Sequence, residues 1–200
     1  MSGVHGVVLF PGAGSSSTHA SLVAVEESLA PLPVVRCDFP YRLAGKSFPD
    51  KTPVLIDSVR TQVRACAAKL GVPTSSLVIG GRSMGGRMCS MAVADVDDPL
   101  DVAGVVLMSY PLHPPKKPEN LRTEHLVRLT TPVLCISGTK DNFGTPTELT
   151  EAFAVVPGQV KWVWIENGRH ELARKDHEVA GAVKDWVTGL TKKTTTTSKK

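Results

Sequence analysis

The stretch Leu77-Val78-Ile79-Gly80-Gly81-Arg82-Ser83-Met84-Gly85-Gly86-Arg87 decides how this chain folds. A strand-length apolar run enters a G-x-S-x-G turn, Gly81-Arg82-Ser83-Met84-Gly85, and residues 87–94 read as a helix, so the order is strand, sharp turn, helix. Where a strand reverses directly into a helix, the turn residue takes a strained backbone conformation. Side chains at the flanking positions would collide with the neighbouring strand and helix. Gly81 and Gly85 remove those collisions. Ser83 then projects its hydroxyl above the sheet as a nucleophile candidate, and the N–H of Met84 points where an oxyanion would sit.

Partners for that serine follow in chain order. Residues 132–138 read as a strand, and the polar turn Thr139-Lys140-Asp141 after it offers Asp141 as the acid. Residues 160–166 read as the last strand, and the loop Asn167-Gly168-Arg169 delivers His170 as the base. Each candidate stands just past the carboxyl end of a strand, where ligands bind in open α/β sheets. The other imidazoles, His5, His19, His113, His125 and His177, are placed less well: His5 precedes the first strand and His177 falls where the terminal helix begins. Asp38 also follows a strand, but one that comes before the nucleophile.

Strand-length apolar runs alternate with helix-length segments throughout, the pattern of an α/β fold with a mostly parallel sheet flanked by helices. Strands are expected near 5–10, 33–39, 76–82, 102–110, 132–138 and 160–166, six in all, with helices near 16–30, 53–71, 84–95, 120–129, 146–154 and 174–190. Thr52 is expected to cap the helix that opens at Pro53, with Leu55, Val59, Val63, Cys66 and Leu70 on one face. Val179, Val183, Trp186, Val187 and Leu190 form a second apolar stripe in the terminal helix. Two strands carry an interior charge, Arg36 and Lys161. Central parallel strands are buried on both faces, so these two belong at the sheet edges.

Val7-Val8-Leu9-Phe10 runs into Pro11-Gly12-Ala13-Gly14-Ser15-Ser16-Ser17, a strand followed by a glycine-rich loop. The N–H of Ala13 is the candidate second donor to an oxyanion. The rival reading is a nucleotide-binding turn, with Gly12-Ala13-Gly14 as G-x-G and Asp38 as the ribose-binding acid; Ser17 stands where the third glycine belongs, and the reading leaves Ser83, Asp141 and His170 unexplained. Between Tyr110 and Pro132 there is room for one short helix after the stiff loop His113-Pro114-Pro115-Lys116-Lys117-Pro118, so no large cap and an open site are expected.

Composition narrows the function classes. A chain of 200 residues fits one domain, expected over 1–190, with 191–200 a disordered Thr/Lys tail. The net charge of +4 is carried by Lys192, Lys193, Lys199 and Lys200, which leaves the body neutral and gives no sign of a nucleic-acid-binding face. Cys37, Cys66, Cys89 and Cys135 lack disulfide-framework or zinc spacing and read as buried thiols in a reduced, cytoplasmic setting. No apolar run is long enough for export or for spanning a membrane.

Taken together, Pro11-Gly12-Ala13-Gly14, Gly80 to Arg87, Tyr110-Pro111-Leu112-His113, Gly138-Thr139-Lys140-Asp141 and Arg169-His170 resemble the α/β-hydrolase superfamily, in its small, capless, dienelactone-hydrolase-like branch. Dienelactone hydrolases proper use cysteine where this chain has Ser83, and the branch commonly reads His-Gly where it has Pro11-Gly12. The resemblance implies a serine hydrolase of carboxylesterase type, acting on an ester or related acyl bond of a small soluble substrate with no metal or organic cofactor. It assigns Ser83, Asp141 and His170 to catalysis and Ala13 and Met84 to the oxyanion hole. Gly14, Tyr41, Tyr110, Leu112 and Phe143 follow strand ends and are candidates for the pocket wall. Arg42, Arg82 and Arg122 are candidates to attract an anionic group, against the more ordinary reading of surface or loop-bracing salt bridges. The alternative from another class is a non-catalytic interaction module that keeps the fold.

Overall fold

A computed structural model describes the backbone of residues 3–197 and the side chains of residues 3–190. Six strands, β1 (Gly6–Phe10), β2 (Val34–Arg36), β3 (Leu77–Arg82), β4 (Gly104–Met108), β5 (Val133–Gly138) and β6 (Val160–Ile165), form one sheet in the order β2-β1-β3-β4-β5-β6. All neighbours are parallel. The helices are α1 (Ala20–Leu29), α2 (Pro40–Leu43), α3 (Thr52–Leu70), α4 (Met84–Val93), α5 (Pro146–Phe153) and α6 (Asp176–Thr197).

The edge assignment from Arg36 and Lys161 holds: β2 and β6 flank the sheet and are only partly buried, whereas every residue of β1, β3, β4 and β5 is buried. Alternate residues of the central strands feed two cores. Val8, Phe10, Ile79, Val105, Leu107 and Cys135 pack with Leu55, Val59 and Val63 of α3 and with Met88 and Cys89 of α4. On the other face Val7, Leu9, Val78, Val106 and Leu134 meet α1 and the Val179, Val183, Trp186 and Val187 stripe of α6. Register then brings the strand ends to one rim, with Phe10 beside Gly81, Arg82 beside Met108 and Gly138 beside Ile165. The loops carrying Ala13, Ser83, Asp141 and His170 all leave from that rim.

Several local expectations are corrected. The helix expected over 120–129 is a single 3-10 turn at Leu126–Arg128. The Arg122 N–H donates to the Leu112 carbonyl (2.9 Å) and its carbonyl accepts the Tyr110 hydroxyl (2.6 Å), which ties the segment down in a non-helical path and leaves too few residues before Pro132. Strand β2 stops at Arg36 because Phe39-Pro40 opens the short helix α2, with proline in its first turn. Helix α3 begins at Thr52 itself, after Lys51, without a side-chain cap, and closes at Gly71 in the left-handed region (φ 66°). The backbone of α6 continues to Thr197, into the segment expected to be a disordered tail; residues 198–200 lie outside the described residues. No helix among the described residues is long and apolar enough to cross a membrane.

Candidate active site

Ser83 sits between β3 and α4 with φ 49° and ψ −117°, a conformation L-residues seldom take. Its N–H donates to the Met108 carbonyl (2.7 Å) and its own carbonyl accepts the Arg87 N–H (3.1 Å), so neighbouring elements hold the strain. The glycines are sterically required. A Cβ on Gly81 would strike the Phe10 carbonyl, and one on Gly85 would lie 2.5 Å from the Pro11 oxygen.

His170 and Asp141 arrive on loops tied to each other. The Lys140 N–H donates to the Gly168 carbonyl (2.8 Å), and the Asn167 N–H donates to the Thr139 hydroxyl (2.9 Å). His170 Nε2 lies 2.9 Å from Ser83 Oγ, and its Nδ1 lies 3.0 and 2.9 Å from the two Asp141 carboxylate oxygens. An ionised carboxylate only accepts, so Nδ1 carries the proton and donates, leaving Nε2 to accept from the serine hydroxyl. Asp141 and His170 are both buried. The Phe143 N–H donates to Asp141 (2.8 Å) while the Phe143 ring stacks on the imidazole, centroids 4.0 Å apart.

Ala13 and Met84 border the same cavity as Ser83 and His170. Met84 opens α4, so its N–H is among the donors that the helix cannot satisfy. The loop bearing Ala13 is braced from behind. The Gly14 N–H donates to the Tyr41 hydroxyl (3.3 Å), and the Ser17 N–H and hydroxyl both donate to the Asp38 carboxylate (2.7 Å each). Asp38, the ribose-binding acid of the rival reading, is thereby a loop anchor.

The cavity is about 390 Å³, within the range of small-molecule sites. Between β4 and β5 the chain inserts only the 3-10 turn, so no large cap stands over it. Of the five expected wall residues only Phe143 borders the cavity. Gly14, Tyr41, Tyr110 and Leu112 do not. Tyr41, Tyr110 and Leu112 are turned into the core, where burial also raises the Tyr110 phenol's pKa. Tyr41 packs beside Phe39, and Tyr110 meets Phe153 edge-on. Among the arginines, Arg82 is a brace: it is buried and ion-paired to Glu171, with a second bond to the His170 carbonyl (3.4 Å). Arg42 lies in α2, away from the cavity. Arg122 borders it, as does Arg87, which in the sequence stands only at the start of a helix. Asp50 and Glu171 are further lining residues that sequence position alone does not mark.

The model of the family described as alpha/beta hydrolase domain matches residues 4–194.

The chain belongs to the alpha/beta hydrolase domain family.

This α/β-hydrolase is similar in fold to Est1E from Butyrivibrio proteoclasticus, at 18% identity with 95% of this chain and 89% of that one covered and a TM-score of 0.71. The dienelactone hydrolase from Anabaena variabilis matches at 20% identity over 94% of this chain and 87% of its own, with a TM-score of 0.71. The monoacylglycerol lipase of Paleococcus ferrophilus matches at 15% identity, covering 95% and 97% respectively, again with a TM-score of 0.71. Among the described residues no group of three or more His, Cys, Asp or Glu side chains is arranged to hold a metal ion.

Proposed function

We propose that this chain is a serine hydrolase of carboxylesterase type that cleaves an ester or related acyl bond of a small substrate through an acyl-enzyme on Ser83. The observation that carries the reading is the unbroken hydrogen-bond chain from Ser83 Oγ through His170 to the buried Asp141 carboxylate. His170 Nε2 takes the serine proton as Oγ bonds to the substrate carbonyl carbon. Asp141 holds the tautomer and stabilises the imidazolium, and the Ala13 and Met84 N–H groups receive the negative carbonyl oxygen. His170 returns the proton to the leaving alcohol as its C–O bond breaks. Water, deprotonated by the same imidazole, then attacks the acyl carbon and frees Ser83.

The cytoplasm is the compartment this reading assigns. Supporting it are four free, buried thiols: burial is the main cause that pushes Cys37 up to about 12 and raises Cys66, Cys89 and Cys135 as well, which makes them poor nucleophiles and packing residues.

Hydrolysis of p-nitrophenyl esters of increasing acyl length by the wild type and by Ser83→Ala tests the proposal. Turnover that falls by about 10³-fold or more in Ser83→Ala is expected. Equal rates for the two proteins would overturn it.

A further inference from the structure

Among the described residues, two guanidinium groups border the cavity without an anionic partner. Arg87 lies one helical turn past Ser83 on α4, and its side chain makes no hydrogen bond or ion pair among the described residues. Residues four apart on a helix share a face, so Arg87 stands on the nucleophile's side of α4. Arg122 faces it from the loop after β4. One N–H of Arg122 is spent on the Pro111 carbonyl (3.1 Å), and its backbone is bound to Leu112 and to the Tyr110 hydroxyl. That leaves a guanidinium held in place with most of its donors unused.

The two cations feel one another. Arg122 has its pKa lowered, first by burial and then by the charge of Arg87. His125, behind them, is pushed down to about 4, again first by burial and then by Arg87. The Glu124 charge offsets part of this field at His125, but among the described residues no carboxylate pairs with either arginine. Glu171 is engaged by Arg82, Asp50 forms no ion pair with either arginine, and Glu124 is exposed and likewise unpaired with them. Like charges in a half-enclosed pocket are costly when unpaired, and planar guanidinium forks fit an anionic oxygen group on two edges.

We infer that Arg87 and Arg122 form an anion-holding subsite of the acyl pocket, so that the preferred substrate is an ester carrying a carboxylate or phosphate roughly one helical turn, about 6 Å, from the scissile carbonyl. The inference rests on the hydrolase reading for its substrate and on Arg87 and Arg122 alone for its anion.

The test compares mono-p-nitrophenyl glutarate with p-nitrophenyl valerate, two esters of the same acyl length that differ in a terminal carboxylate. The wild type is expected to favour the glutarate ester in kcat/KM, and the glutarate-to-valerate ratio is expected to fall about tenfold or more in Arg87→Gln, with Arg87→Lys, which keeps the charge but not the planar fork, falling between the two. A ratio that is the same in wild type and Arg87→Gln would overturn the subsite. If neither ester turns over, the hydrolase reading is what fails. Calorimetric titration of Ser83→Ala with glutarate and with inorganic phosphate, with and without Arg87→Gln, then decides the subsite alone. Binding of either anion that weakens about tenfold on loss of Arg87 supports it, and the tighter anion names the group. Equal binding in both proteins, or no binding of either anion, overturns it.

Discussion

Arg82 and Glu171, the residues immediately before Ser83 and immediately after His170, form an ion pair with each other. The pair links the β3–α4 turn to the loop after β6, and Arg82 adds a bond to the His170 carbonyl. Glu171 is largely exposed, so solvent screens the pair and its value to global stability is small. Its value to geometry is larger, because it ties the His170 loop to the Ser83 turn. Glu171→Gln is therefore expected to change the unfolding free energy by no more than about 1 kcal/mol and to lower kcat about tenfold. Steady-state kinetics beside urea unfolding checks this, and an unchanged kcat would contradict the bracing role.

Two glycine substitutions should act in opposite directions. At Gly85 a Cβ would lie 2.5 Å from the Pro11 oxygen and press on the Phe10 backbone, so Gly85→Ala should cost about 3 kcal/mol. Gly181, inside α6, has open space within 4 Å of the position a methyl group would take, and Gly181→Ala should stabilise by about 0.5–1 kcal/mol. Urea midpoints of the two variants measure both effects.

The Tyr41 hydroxyl accepts the Gly14 N–H next to the proposed oxyanion donor Ala13. Tyr41→Phe keeps the buried ring beside Phe39 and removes that acceptor. The expected outcome is a fall in kcat of about tenfold with KM little changed, since the loop would lose definition where charge develops, and a stability loss of about 1 kcal/mol. A proportional rise in KM with constant kcat would place Tyr41 in ground-state binding instead.

The sequence discloses the parts of this molecule that chain order and patterning control. Arg36 and Lys161 mark the sheet edges because a charge inside a doubly buried strand is costly, and Ser83, Asp141 and His170 are legible because each follows a strand whose end lies on one rim. Side-chain direction is not legible. Tyr41 and Tyr110 follow strand ends as Phe143 does, yet they turn into the core while Phe143 covers His170. The helix expected over 120–129 is lost to tertiary bonds between Arg122, Tyr110 and Leu112, which no local pattern announces. Arg87 reads as an ordinary helix residue because its significance depends on Arg122, which is distant in sequence and is brought to the same cavity only by the fold.

His125 gives the protein a pH-dependent stability. Its Nε2 lies 2.8 Å from Ser90 Oγ, and Ser90 donates to the Arg87 carbonyl, so the imidazole is a buried neutral donor. Burial first, then the charge of Arg87, lowers its pKa from 6.5 to about 4. As pH falls below 6.5 the unfolded chain takes up a proton that the folded one refuses until about pH 4, so stability declines across that window. The wild type should lose about 2 kcal/mol more than His125→Gln between about pH 7 and pH 4.5. Urea unfolding at the two pH values reads the difference.

The most direct measurement is the mass of the intact protein after exposure to a fluorophosphonate probe, followed by mapping of the modified peptide. A nucleophile activated through His170 predicts a single adduct on Ser83, its absence in Ser83→Ala and much slower labelling in His170→Ala. A folded wild-type protein that stays unlabelled at Ser83 would contradict the catalytic assignment and favour a non-catalytic interaction module built on the same fold.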